Sequence, residues 1–163
     1  MAITVKINVD EITARLGKAK DALGDLTPVY QDIGEYLIES TKARFRRGEA
    51  PDGTRWRAKQ PATIAAYLRR GDGSRPDPLI GPSKRLSTEI AMFANAAGVE
   101  VGSALEYSAV HQFGAAKGSF GENAAGRPIP WGDIPARPYL GLSDDDERNI
   151  LDIVDEHLSD TLD

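Results

Sequence analysis

Cysteine is absent from the 163 residues, and histidine appears only at His111 and His157. The first absence excludes disulfide frameworks, thiol nucleophiles and thiolate-held zinc or iron–sulfur centres. The second leaves too few imidazoles for a multi-histidine metal centre. Long apolar runs are missing as well: the longest extends from Ile90 to Ala94, far short of the roughly 20 residues that cross a bilayer as a helix. The amino terminus alternates instead of placing a basic stretch before an apolar block. It therefore predicts no secretory signal, and a soluble chain made and kept in the cytoplasm is the expectation.

What is present suits a folded domain. Hydrophobic residues make up 40% and charged ones 28%, a mixture that fills a core and still covers a solvated surface. One domain over residues 1–163 is expected at this length. Ile3, Val5, Ile7 and Val9 alternate with polar residues, which predicts a strand with one buried face. Asp10 is placed to cap a helix carrying Ile12, Leu16, Ala19 and Leu23 and ending near Gly24. Thr27-Pro28 opens a longer helix to about Arg46, with Ile33, Leu37 and Phe45 on one face and Arg44, Arg46 and Arg47 at the negative end of its dipole.

Residues 48–60 read as an ordered loop anchored by Trp56, residues 61–70 as a short helix, and residues 71–82 as an exposed Gly/Pro-rich stretch. Ile90, Met92 and Ala94, then Val99 and Val101, predict a β-hairpin turning at 95–98. A short helix is expected over 105–113, followed by a glycine-rich loop over 114–133 that is expected to be mobile in an isolated subunit. Pro135 and Pro138 punctuate an extended segment, 134–142, expected at a sheet edge or over a surface. Ser143 caps a last helix whose Ile150, Val154, Leu158 and Leu162 recur every four residues, with acidic outward faces. Together these elements predict an α+β fold. A small antiparallel sheet, made of the N-terminal strand and the hairpin, is packed by a long helix and a C-terminal helix, with long irregular loops.

Charge is segregated along the chain. Between Lys42 and Arg85 there are twelve basic residues and four acidic ones, whereas from Ser143 onward nine acidic residues face one arginine. The plain account is dipole compensation by Asp144, Asp145, Asp146 and Glu147 together with solvated basic loops. The functional account is that separated patches of opposite sign let one copy dock head-to-tail on the next. Nucleic acid is the rival partner for the basic segment, but the net charge of −5 and the scarcity of aromatic stacking residues argue against a dedicated binder.

No catalytic constellation emerges. Gly71 to Ser74 lacks the spacing that wraps phosphates, and His111 and Glu106 do not share a helical face. His111 reads as a packed or interface histidine whose two nitrogens each meet a backbone group, and His157 as lying on the solvated side of the last helix. Consecutive carboxylates such as Asp144 to Glu147 radiate around a helix and cannot converge on a cation. The expectation is a protein that is not an enzyme and carries no cofactor or metal.

Three segments together resemble the phage virion morphogenesis family, the Mu-like tail completion proteins. They are Phe45 followed by Pro51-Asp52-Gly53-Thr54-Arg55-Trp56, then Tyr107 to Gly114 (YSAVHQFG), then Ile134 to Leu142 (IPARPYLGL) entering an acidic helix. The likeness covers most of the chain from about Val29 onward. One departure precedes the hairpin, where a small residue, glycine and leucine are expected in close succession but Pro82 to Arg85 separate Gly81 from Leu86.

The resemblance implies a structural role in virion assembly, with no known chemical reaction. The protein would finish the tail or join it to the head as a ring of identical copies at the tail end or neck, a homohexamer by analogy. Its partners would be itself, the tail tube and the neck or connector proteins, with genomic DNA passing through the channel unbound. It would reside in the virion, after synthesis in the bacterial cytoplasm. Candidate contacts between subunits or with partners are Arg44, Arg46, Arg47, Trp56, His111, Gln112, Phe113, Arg137, Tyr139, Asp144, Asp145 and Asp146. Arg137 in particular is a candidate either for bidentate pairing with a carboxylate of a neighbouring subunit or for pairing within its own chain. The rival readings are a head-completion or connector protein on the portal side and a DNA-binding packaging accessory using residues 42–85.

Overall fold

The computed structural model describes residues 3, 4 and 9–162; Val5 and Ile7 of the expected first strand, and the side chain of Leu162, lie outside them. In chain order the elements are β1 (Ile3–Thr4), α1 (Asp10–Leu23), α2 (Thr27–Arg47), α3 (Pro61–Arg69), α4 (Arg85–Thr88), β2 (Ala91–Asn95), β3 (Gly98–Ser103), α5 (Ser108–Phe113) and α6 (Asp144–Leu162). The sheet is antiparallel in the order β1-β3-β2, with Ile3 opposite Ser103 and Met92 opposite Val101. The α+β fold expected from the sequence is the one observed.

Helix α2 is the central post. It crosses the sheet at Gly34, where an added Cβ would lie 2.2 Å from Met92 Sδ and 2.9 Å from Val99 Cγ2, so glycine is what permits this close approach. Its ends follow local chemistry. The carboxylate of Asp25 accepts from Thr27 N at 2.9 Å and from Thr27 Oγ1 at 2.7 Å, and Gly48 closes the helix in the left-handed conformation at φ +70°. Asp10, expected as a cap, instead sits in the first turn of α1. The cap position belongs to Val9, which offers no side-chain bond. Ser143 does cap α6: its Oγ accepts from Asp146 N at 3.1 Å while Asp146 Oδ2 accepts from Ser143 N at 2.8 Å, a reciprocal capping box.

Two apolar clusters flank α2. One joins α1, α2 and α6 through Ala19, Leu26, Val29, Ile33, Ile150 and Val154. The other gathers Phe45, Trp56, Leu79, Leu86, Ile90, Leu105, Tyr139 and Leu140 from α2 and the loops. Helix α4 leaves no mark in the sequence, because four residues are too few for a period to show. The short helix starts at Ser108, with Leu105 buried in the turn before it. Residues 134–142 neither edge the sheet nor wrap a surface: Tyr139 and Leu140 are buried in the second cluster.

Candidate functional site

The three motif segments converge on one another. Residues 137–141 run extended through the interior with no strand beside them in the sheet, so their backbone groups must be paired by other means. Side chains supply the bonds. Gln112 Oε1 accepts from the N–H groups of Tyr139 and Leu140, both at 3.0 Å, and Gln112 Nε2 donates to Leu140 O at 3.0 Å. A carboxamide carries the same donor and acceptor as a peptide group, so Gln112 acts as a one-residue strand partner. Trp56 Nε1 donates to Pro138 O at 2.8 Å, and Arg137 N donates to His111 O at 2.8 Å. Phe45 packs edge-on to Trp56 with centroids 5.4 Å apart and lies 5.2 Å from the Tyr139 ring, an arrangement that adds to simple area burial.

Arg44 completes the set. It is 1% exposed and donates from Nη1 to Tyr139 O at 3.0 Å and to Gly141 O at 2.9 Å, while Nη2 pairs with Asp146 Oδ2. Asp146, equally buried, also accepts from Tyr36 OH at 2.9 Å, from Ser40 Oγ and from Ser143. Burial pushes the Asp146 carboxyl up, but the Ser40 and Ser143 hydrogen bonds and the Arg44 charge together hold it below the usual carboxylate range. Burial lowers the Arg44 pKa against the opposing pull of Asp146, yet a guanidinium stays protonated in such a site. Tyr36 beside this carboxylate is pushed up to about 12, by burial first and then by the Asp146 bond and charge. Asp146 is thus no part of an outward acidic string: it faces inward and ties α6 to α2.

Arg137 is fastened within its own chain. Its Nε donates to Arg57 O at 2.8 Å and its Nη2 to Ala58 O at 3.2 Å, so its partners are carbonyls and not a carboxylate. The same use of cations recurs in the basic middle of the chain. Lys59 Nζ donates to Arg75 O and Ile80 O, Arg75 Nε to Asp72 O and Arg55 Nη1 to Arg47 O. Part of the positive charge between 42 and 85 therefore pins irregular loops through their carbonyls. No sequence signal separates these cations from the solvated ones, because the pairing is fixed by loop shape.

His111 differs from expectation. Its Nδ1 is buried with no partner, as is Ser108 Oγ on the preceding turn of α5. Burial and the nearby Arg137 charge lower its pKa. His157 is not on a purely solvated side: its Nε2 lies 2.7 Å from Asp32 Oδ2 on α2. Among the described residues, no group of three or more His, Cys, Asp or Glu residues is placed to hold a metal, and no helix is long and apolar enough to cross a membrane.

The remaining candidates are on the surface. Arg46, Arg47, Asp144 and Asp145 are exposed, with Arg47 paired to Glu49 and Asp145 to Arg148. Phe113 is 66% exposed, and α5 is seated by Gln112 and Ala109. Gly114 ends the helix at φ +76° and leads into residues 114–133, which double back as a small arm. Ala115 bridges Ile134 and Glu122 bridges Pro128, with Gly118 N donating to Pro130 O and Phe120 N to Ile129 O. The arm carries Phe120, Ile129 and Trp131 outward, Trp131 at 83% exposure.

The sequence profile of the phage virion morphogenesis family matches residues 7–159. The putative capsid assembly protein G of Escherichia phage Mu is 28% identical over 98% of this chain and 97% of that protein. The Mu-like prophage FluMu G protein 2 of Haemophilus influenzae is 26% identical over 92% of this chain and 91% of its own length. No solved structure matches the chain.

Proposed function

Because the chain belongs to the phage virion morphogenesis family, we propose that it is a structural virion protein that completes the tail. In this reading it joins tail to head as a ring of identical copies at the tail end or neck and catalyses no reaction. The observation that carries the reading is the division of labour among the motif residues and the surface. Arg44, Trp56, Gln112, Arg137, Tyr139 and Asp146 direct their polar groups inward to fasten loops. The outward-facing aromatics, by contrast, include three on or beside the single arm at 114–133. Exposed Phe113, Phe120, Ile129 and Trp131 suit a surface that is covered in an assembly, by a neighbouring copy or the tail tube. Genomic DNA would pass such a ring unbound, and the protein would reside in the virion.

The test is imaging of particles made without the protein. Filled heads and tails that remain unjoined, or tails of uncontrolled length, are expected. The Mu relative is described as a capsid assembly protein, which favours a second reading on the head side, and malformed or unclosed heads in the same images would select it. A third reading, a DNA-binding accessory using residues 42–85, would be favoured by duplex DNA binding that weakens steeply with salt.

A further inference from the structure

Two charged surfaces look in opposite directions from α2, and they are opposite in sign and equal in spacing. On α6, Asp146, Ile150 and Val154 face inward. Asp145, Asp152 and Glu156 therefore fall on the outer side of the helix, and all three are exposed. Asp152 and Glu156, four residues apart, have no ion pair or hydrogen bond from their side chains among the described residues. On α2, the side that meets α6 carries Asp32, Tyr36, Ser40 and Arg44, four residues apart. Lys42 and Arg46 stand about half a turn away from that row, on the opposite side of the helix. There they border a hollow of about 410 Å³ that is floored by Phe45 and Ile80 and closed by Lys84, Ser87, Thr88 and Asp77. Arg46 and Lys84 have no ion pair among the described residues, and Lys42 has only the exposed Glu39 at 3.1 Å. Asp77 is the one acidic group on the rim, against three cations.

We propose that the outer face of α6 in one copy docks on this basic hollow in the next, Asp152 and Glu156 meeting Lys42 and Arg46 with Lys84 alongside. The proposal rests on the ring reading above and gives it a contact. Both pairs are spaced i, i+4, about 6 Å along their helices, so two helices laid side by side bring the charges into register. Because the patches lie on opposite sides of α2, the contact is heterologous and leaves a joined pair with one free patch of each kind, one at either end, which drives further addition until a ring closes. Lys84 is held at φ +55°, a conformation glycine reaches without strain. Replacing Lys84 by glycine therefore removes the charge without straining the backbone.

The experiment measures association of the full-length chain by sedimentation velocity and native mass spectrometry at low and high salt, with thermal melts to verify folding. Reversal of either side, Asp152→Lys with Glu156→Lys or Lys42→Glu with Arg46→Glu, is expected to weaken association at least about tenfold, as loss of close charge pairs does. The chain carrying all four reversals is expected to associate with itself again. Lys84→Gly, which relieves its own backbone and removes one charge, is expected to weaken association without lowering the melting temperature. Folded single-sided variants that associate like the unmodified chain would overturn the contact while leaving the ring intact. An unmodified chain that stays monomeric at every concentration, with and without tail tubes, would overturn the ring itself. Duplex DNA retained by the unmodified chain, lost on Lys42→Glu with Arg46→Glu and not regained in the four-fold variant would also overturn the contact, because DNA would then be what the hollow receives.

Discussion

The two interior clusters on either side of α2 are held together differently. Where α1, α2 and α6 meet, Ala19, Val29, Ile33, Ile150 and Val154 form an apolar core with side-chain pairs such as Arg15–Asp155 and Asp32–His157 at its margin, and each helix satisfies its own backbone. Where the loops meet α2 and α5, Phe45, Trp56, Leu79 and Tyr139 supply apolar area, but the extended segment has no ladder. Gln112, Arg44 and Trp56 have to pair its carbonyls and amides. In this chain the three motif segments supply the hydrogen bonds that an irregular core needs. The helical core, which has no such need, tolerates many apolar sequences.

The contrast is tested most severely at Arg44 and Asp146. Asp146→Ala strands a buried guanidinium and removes the reciprocal half of the α6 capping box, and is expected to cost about 3–5 kcal/mol in urea unfolding. A simple buried ion pair is often replaceable by apolar residues with little loss. Here the double change Arg44→Met with Asp146→Leu is expected to remain clearly destabilised, because the carbonyls of Tyr139 and Gly141 lose their donor. Full recovery in the double variant would show that the pair acts as an isolated pair and that the loop core needs no side-chain partners. Gln112→Leu keeps the volume roughly constant but strands two amides and one carbonyl, at roughly 1–3 kcal/mol for each group left unpaired. In the helical core Ile150→Val should cost only about 0.5–1.5 kcal/mol, and the same unfolding curves compare the two.

Smaller effects sharpen the picture. Gly114→Ala places a Cβ 2.8 Å from Ala136 N and Ile134 O at φ +76°, and strain of about 1–3 kcal/mol is expected. A melting temperature unchanged by that substitution would show that the arm is not fastened to the 134–136 segment. Titration of His111 gives a pH signature. Its folded pKa lies below the ordinary 6.5 because burial and Arg137 disfavour the charged ring, so the unfolded chain binds more protons as pH falls below about 6.5. Stability is complete above that value and declines as pH falls from it toward the lowered folded pKa. His111→Gln should remove this decline. A second decline at lower pH belongs to Asp146, whose contribution is present above about 3.8 and is lost as pH falls through its lowered folded pKa. Least of all, Trp131→Ser should change stability by no more than about 0.5 kcal/mol while reducing association of the assembled form.

Much of this was legible in the residues. The period of four in Ile150, Val154 and Leu158 extends back one step to Asp146, and Arg44 falls on the same stripe of α2 as Ile33 and Leu37. A charge on each apolar stripe, of opposite sign, is a readable sign of a buried pair, and that signal is what the reading of an outward acidic string missed. The place of residues 134–142 was not legible, because two prolines in an extended run suit an edge and an interior strap equally well. Nor does the sequence show which way Phe113 points: an aromatic beside a helix-ending glycine suits an anchor and an outward contact equally well, and the fold leaves it 66% exposed.

The order of chain elements, the turning points at Gly48 and Gly114, the capping of the last helix and the family were settled by local pattern, since propensity, periodicity and capping act over a few residues. Which cations fasten loops and which remain free, how the strap between Arg137 and Gly141 finds its partners, and which way the acidic and basic faces look were decided only by the folded chain. Those outcomes depend on groups that lie as far as 102 positions apart in sequence or are brought together by loop shape, and such pairing is a property of packing that no short window of residues contains.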